Sequence, residues 1–247
     1  MNHLKRRVAA IVGPMAIVAM LGAPAQANVI DFVGEATAWS DARTGTNNSQ
    51  ATRTIDGIGV TLLAERIEAD GDVTNRRLTF FERGTPDGLG IGDDEITRQP
   101  VGSGFSSEFL TISFSQRVLI TGFDFRDLYV QTRGRSFDPQ NPEKETARID
   151  FHDGEAARMF EAVETRGGGN LGLRTVNFAG IETDRLTFSV FSSLDTELGP
   201  TDDSQPDYAL GAVRFEEIAP VPLPATVWML IAAVAGLWGI RKRAAQA

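Results

Sequence analysis

The sequence predicts a mainly β protein: one antiparallel β-sandwich or barrel over residues 28–219, with an export segment before it and one membrane-spanning helix after it. Three observations predict this. Phe, Thr, Val and Ile recur in short alternating runs divided by Gly, Asp, Asn and Pro, the pattern of many short strands. No stretch between residues 28 and 219 keeps a 3.6-residue apolar period, so helices are expected to be minor. Uncharged apolar runs flanked by basic residues stand at both ends of the chain.

Taken in order, Val29 to Val33 is the first candidate strand, and residues 40–53 are small and polar, expected as a loop. Thr54 to Ala64 alternates after a Gly57 break and reads as a strand. Asp70-Gly71-Asp72 signals a turn, and Arg77 to Glu82 is another strand. Gly84 to Gly104 is rich in Gly and Asp and is expected as a loop. Glu108 to Phe114, a Ser115-Gln116-Arg117 turn and Val118 to Phe125 predict a hairpin. Period two puts Leu110, Ile112 and Phe114 on its apolar, core face. Tyr129 to Lys144 reads as a loop. Ala147 to Phe151, Asp153-Gly154 and Ala157 to Val163 predict a second hairpin. Gly167-Gly168-Gly169 is a break. Thr175 to Phe178 and Ile181 to Phe191 predict two strands joined tightly at Ala179-Gly180. Tyr208 to Ile218 closes the domain.

The chain ends are segments of another kind. Lys5, Arg6 and Arg7 precede an apolar run from Val8 to Leu21, and Ala25-Gln26-Ala27 supplies small residues before a cut. This predicts a signal peptide over residues 1–27, cleaved after Ala27 so that the mature chain begins at Asn28. At the other end, within residues 220–247, Thr226 to Ile240 carries no charge. Extended back to Leu223, it is about the length needed to cross a hydrocarbon core of ~30 Å. Trp228 and Trp238 lie near its two ends, and Arg241, Lys242 and Arg243 follow at once, a basic cluster that favours the cytoplasmic side. Just before the span stands Val221-Pro222-Leu223-Pro224-Ala225, where two prolines hold the backbone extended and remove two donors.

The Pro motif, the short apolar helix and the basic terminus together resemble the VPLPA variant of the PEP-CTERM sorting signal. That resemblance implies recognition by an exosortase, a membrane-embedded cysteine protease resembling a transpeptidase, which processes the tail. Leu223 stands where the commoner pattern has Glu. Three further features resemble a recurring exported domain that precedes such tails: the Gly88-Leu89-Gly90-Ile91 stretch with Asp93-Asp94-Glu95, the Glu108–Phe114 strand and the Tyr208–Val213 strand. They imply a jelly-roll-like β-sandwich. The implied setting is the inner membrane and periplasm, then the cell surface or extracellular matrix, with exopolysaccharide as a partner.

Composition narrows the chemistry. The chain has 24 basic and 33 acidic residues, a net charge of −9. The expected signal and tail hold three Lys or Arg each and no acid, so the mature domain carries 18 basic against 33 acidic residues, a net charge of −15. Such a surface repels phosphate backbones, which argues against nucleic acid as a partner. Cysteine is absent, which excludes disulfides, a thiolate nucleophile and Cys-ligated metal.

The candidate sites are few. Asp93, Asp94 and Glu95 in a Gly-rich stretch are the oxygen ligands a Ca²⁺ ion wants, though their spacing matches no EF-hand, and turns use the same residues. Asp70-Gly71-Asp72 and Asp202-Asp203 rank below them. His152 is the one histidine left once His3 departs with the signal; it lies beside a turn, and no Gly-x-Ser-x-Gly elbow accompanies it. Trp39, Tyr129 and Tyr208 are candidates for stacking on sugars. No catalytic residue is assigned. The expectation is a structural or binding module rather than an enzyme, with a cell-surface hydrolase acting on polysaccharide or peptide and a Ca²⁺-stabilised adhesin as alternatives.

Overall fold

A computed structural model describes residues 27–82, 85–92, 95–101, 104–130, 144–165, 172–191 and 207–218. The strands in chain order are β1 (Ala27–Asp31), β2 (Arg43–Thr44), β3 (Gln50–Ile55), β4 (Ile58–Ile67), β5 (Val73–Asn75), β6 (Leu78–Glu82), β7 (Thr85–Ile91) and β8 (Ile96–Val101). They continue with β9 (Gly104–Arg126), β10 (Tyr129–Val130), β11 (Thr146–Asp150), β12 (Arg158–Glu161), β13 (Glu164–Thr165), β14 (Arg174–Phe191) and β15 (Asp207–Glu217). One short helix, α1 (Ala36–Asp41), lies between β1 and β2. Thirteen strands form one antiparallel sheet, and β10 with β13 makes a small parallel pair.

β9 is the spine. Its first half pairs with β4, from Ser107↔Ile67 to Phe114↔Val60; its second half pairs with β15, from Val118↔Glu217 to Arg126↔Ala209. Along its other edge β14 follows both halves. β8 pairs with the start of β9 and with the start of β15, so the sheet curls until it is nearly closed.

The expected hairpin at Ser115-Gln116-Arg117 is therefore not formed. The strand runs on through three exposed residues and changes partner there. None of the three has the positive φ that a tight hairpin turn needs, and both halves gain more by pairing with distant strands. The predicted core face is the observed one: Leu110, Ile112 and Phe114 are buried, followed by Val118, Ile120, Phe123 and Phe125.

Phe123 centres the core, its ring 5.5–5.9 Å from those of Phe125, Phe151, Phe160, Phe178 and Phe188. β4 adds Ile58, Val60 and Leu62; β15 adds Leu210, Val213 and Phe215.

Other expectations need correction. The reach from Thr54 to Ala64 is strand from Ile58 on, within β4, but its start is the end of β3 and the turn of the β3–β4 hairpin, with Asp56 (φ 48) and Gly57 (φ 87) as the two central residues. Such an Asp-Gly pair at positive φ is what a two-residue hairpin prefers. The loop expected at 40–53 holds the end of α1, β2 and the start of β3. The loop expected at 84–104 holds β7 and β8, whose Leu89, Ile91 and Ile96 are buried. Its glycines serve close packing: a Cβ on Gly88 would stand 3.1 Å from the Leu210 carbonyl oxygen. At Ala179-Gly180 the chain does not reverse. The register slips between Asn177 and Ile181, and β14 continues. The turns at Asp70-Gly71-Asp72 and Asp153-Gly154 and the β11–β12 hairpin are as expected. Among the described residues no helix is long and apolar enough to cross a membrane. The tail expected to do so, with Val221–Ala225 and Arg241–Arg243, lies outside them, as do residues 1–26, Gly167–Gly169 and Asp202-Asp203.

Candidate functional site

The two ends of the described fold meet. β1 pairs antiparallel with β15, Ala27 opposite Glu216, so the first residue of β1 and the last of β15 lie together. The exposed stretch 115–117 is at that same end, where Gln116 Nε2 donates to Glu217 Oε1 at 3.2 Å. The opposite end of the first half of β9, at Ser107, is roughly 30 Å away along the strand, at about 3.3 Å per residue.

There the inward face changes character. Leu110 and Ile112 give way to Glu108 and then Ser106 on the same side of β9, both buried. Neighbouring strands add Thr97 and Gln99 from β8 and Arg66 from β4, while Arg76 follows β5. A core whose mouth is lined by polar side chains is a usual place for a ligand.

Glu108 anchors this mouth. Thr97 donates to its Oε2 twice, from the backbone N–H at 3.1 Å and the hydroxyl at 3.0 Å. Arg76 Nε stands 3.9 Å from Oε1. Burial pushes the Glu108 carboxyl above its ordinary range, and the Thr97 bonds and the charges of Arg66 and Arg76 offset this only in part. Arg66 Nη2 donates to Gln99 Oε1 at 2.9 Å. Gly92 crosses beside the carboxylate at φ 74, its N–H bonded to the Arg77 carbonyl and its own carbonyl accepting from the Thr79 hydroxyl at 2.9 Å.

The residues expected to hold Ca²⁺ start next to Gly92. Asp93 and Asp94 lie outside the described residues. Glu95 accepts the Ile91 N–H through its carbonyl at 3.2 Å, within the connection from β7 to β8. The carboxylate packed against Gly92 is Glu108, and it faces guanidinium groups. Among the described residues no group of three or more His, Asp or Glu is positioned to hold an ion.

The aromatic candidates mostly belong to the core. Trp39 is fully buried in α1, 5.5 Å from the Phe32 ring, with the Arg53 guanidinium 4.9 Å from its own centroid. Tyr208 is fully buried and donates to the Ser189 carbonyl at 3.0 Å; burial pushes its hydroxyl well above the usual range. Tyr129 is half-buried, its N–H bonded to Glu145. None of the three is an open stacking platform.

His152 sits beside its turn as expected, at φ 52 and 29 % exposed. Its Nε2 is 2.9 Å from the Thr187 hydroxyl, and its Nδ1 is 3.4 Å from Arg185 Nη2 and 4.0 Å from Asp150 Oδ1. Thr187 lies within a strand on the outer face of the sheet and pairs with Thr111 at 3.3 Å, an arrangement that lacks the carboxylate–imidazole bond a triad requires.

A second polar group ties β9, β14 and β15 together. Arg214 binds Asp124 through Nη1 at 2.6 Å and Nη2 at 3.0 Å, and donates from Nε to Asn177 Oδ1 at 3.1 Å. Thr175 donates to Asp124 at 2.6 Å. Burial of Asp124 acts upward, but these bonds outweigh it and hold the carboxyl below its ordinary range. Every arm of this group is bonded within the fold, which marks it as a clamp.

Sequence reasoning passed over Glu108, Arg66 and Arg76. The available signal was Glu108 itself, a charged residue in phase with an apolar face. Comparison with protein-family models, with curated proteins and with solved structures finds no match.

Proposed function

We propose that this protein is exported by its first 27 residues, anchored by its C-terminal helix and presented to an exosortase-type protease through Val221–Ala225. Its β domain, a jelly-roll-like sandwich in this reading, serves as a structural or binding module at the envelope, cell surface or extracellular matrix, with exopolysaccharide as its partner. The observation that carries the reading is the pairing of β1 with β15, in which Asn28, the expected first mature residue, stands opposite Phe215. It supports a domain whose signal and sorting tail leave from one end, so that both can meet one membrane while the polar mouth around Glu108 faces away. The three-part tail, in order and followed by three cations, is the sequence support.

Mass spectrometry of the native C-terminus tests it. A mass ending near Pro222 to Ala225 is expected. A full-length product in the cytosol, or a reporter fused after Ala247 that is active in the periplasm, overturns it. In a pull-down the domain should retain glycan unaltered; release of fragments would favour the hydrolase instead.

A further inference from the structure

Two ways of holding a guanidinium coexist in this fold. Arg214 is saturated by Asp124, Asn177 and the Phe123 carbonyl. Arg66 and Arg76 are not: in each, the Nε–H is buried with no acceptor in hydrogen-bond reach. The carboxylate oxygens they pair with, on Glu68 and Glu108, stand at 3.9 Å. Buried donors are normally bonded, so two such groups at one end of a core ask for a partner. The Arg76 side chain is 37 % exposed although its Nε is covered, so a ligand arriving from solvent meets the side chain and reaches the Nε–H only as the guanidinium turns away from Glu108.

We propose that the mouth formed by Arg66, Arg76, Thr97, Gln99 and Glu108 binds a carboxylate flanked by hydroxyls, the chemistry of an acidic sugar. A guanidinium fork matches a carboxylate in shape and charge. The Thr97 hydroxyl, which donates to Glu108 and can still accept, and the Gln99 amide, whose Oε1 takes the Arg66 bond while its NH2 can donate, supply the neutral groups that sugar hydroxyls require. Glu108 is the internal competitor. Thr97 fixes its Oε2, leaving Oε1 opposite Arg76, and the ligand's carboxylate takes over Arg76 from it. A divalent cation suits this point less, because guanidinium groups surround the carboxylate. The proposal deepens the binding-module reading and rests on it for where the ligand is met, not for whether it binds.

Calorimetric titration of the full-length protein in detergent micelles tests it, with galacturonate, a galacturonate oligomer, a neutral galactose oligomer and inorganic phosphate as probes. The sugar acid is expected to bind and the neutral oligomer is not. Equal affinity for monomer and oligomer identifies a free sugar acid as the source; binding of the oligomer alone identifies a polymer; both uphold the proposal. Arg76→Ala should weaken binding at least tenfold and Arg76→Lys by less. Glu108→Gln should strengthen it several-fold, a gain that misfolding cannot produce. Equal binding of the neutral oligomer, binding of phosphate alone, no binding at all, or an unaltered affinity in Arg76→Ala overturns it. An intact C-terminus would sink the sorting reading and leave this result standing.

Discussion

Replacing Gly122 by alanine tests whether one arginine locks three strands. Gly122 has Asn177 and Arg214 as register partners on its two sides. A Cβ at Gly122 would stand 2.4 Å from the Val176 carbonyl oxygen, 2.8 Å from Asn177 Oδ1 and 3.0 Å from Arg214 Nε. Carbon–oxygen contacts run at about 3.3–3.6 Å, so β14 must retreat by roughly 1 Å. Overpacking of this kind costs about 1–3 kcal/mol. The retreat also takes Asn177 away from Arg214, and a hydrogen bond to a charged group is worth about 1.5–3 kcal/mol, less here because the site is partly solvated. The expected loss is about 3 kcal/mol. For a domain of this size, that lowers Tm by roughly 6–12 °C. Urea unfolding followed by circular dichroism measures it. Gly59→Ala is the control: its Cβ would meet only the Ser115 side chain, at 3.3 Å, and should cost under about 1 kcal/mol. Arg214→Ala should cost less in the Gly122→Ala background than alone. A Gly122→Ala protein within about 0.5 kcal/mol of the parent, or a strictly additive double mutant, would refute the lock.

Further outcomes follow from the same structure. Because the Glu108 carboxyl is raised in the folded state, the fold holds its proton more tightly than the unfolded chain; stability should fall as pH rises from the ordinary carboxyl value of 4.5 through the folded value. Thermal melts across that window should show this slope in the parent and lose it in Glu108→Gln. Asp124 has the opposite sign: its stabilisation is present above the ordinary carboxyl value of 3.8 and is lost as pH falls through the lowered folded value. Asp124→Asn should therefore destabilise by about 1–2 kcal/mol at pH 7 and by little near pH 2, read from denaturant midpoints. Phe123→Ala removes the ring that five others touch and should cost about 3–5 kcal/mol in the same assay.

Local rules carried part of the fold. Alternation from Glu108 to Phe125 names the right inward residues because side-chain direction depends only on backbone period. It does not say whether the chain turns back at Ser115-Gln116-Arg117, because that depends on β4 and β15, which lie far off in sequence. Gly88 and Gly92 read as loop residues, yet they permit close approach of neighbouring strands and of Glu108, a tertiary demand invisible to composition. Trp39 lies in a polar stretch of sequence and is nonetheless fully buried, since α1 folds over Phe32. For the candidate site, Glu108 was visible as one charge in an apolar phase. Its arginine partners come from β4 and from the link after β5 and had no shared sequence signal.

The pairing of β1 with β15 has a consequence for how the molecule is made. Among the described residues the strand synthesised first waits for the strand synthesised last, so a fragment that lacks β15 leaves β1 unpaired. Contacts so distant along the chain close late and slowly. A polypeptide built this way stays open at this seam until Glu217 has been added, and only then can β1 find its partner.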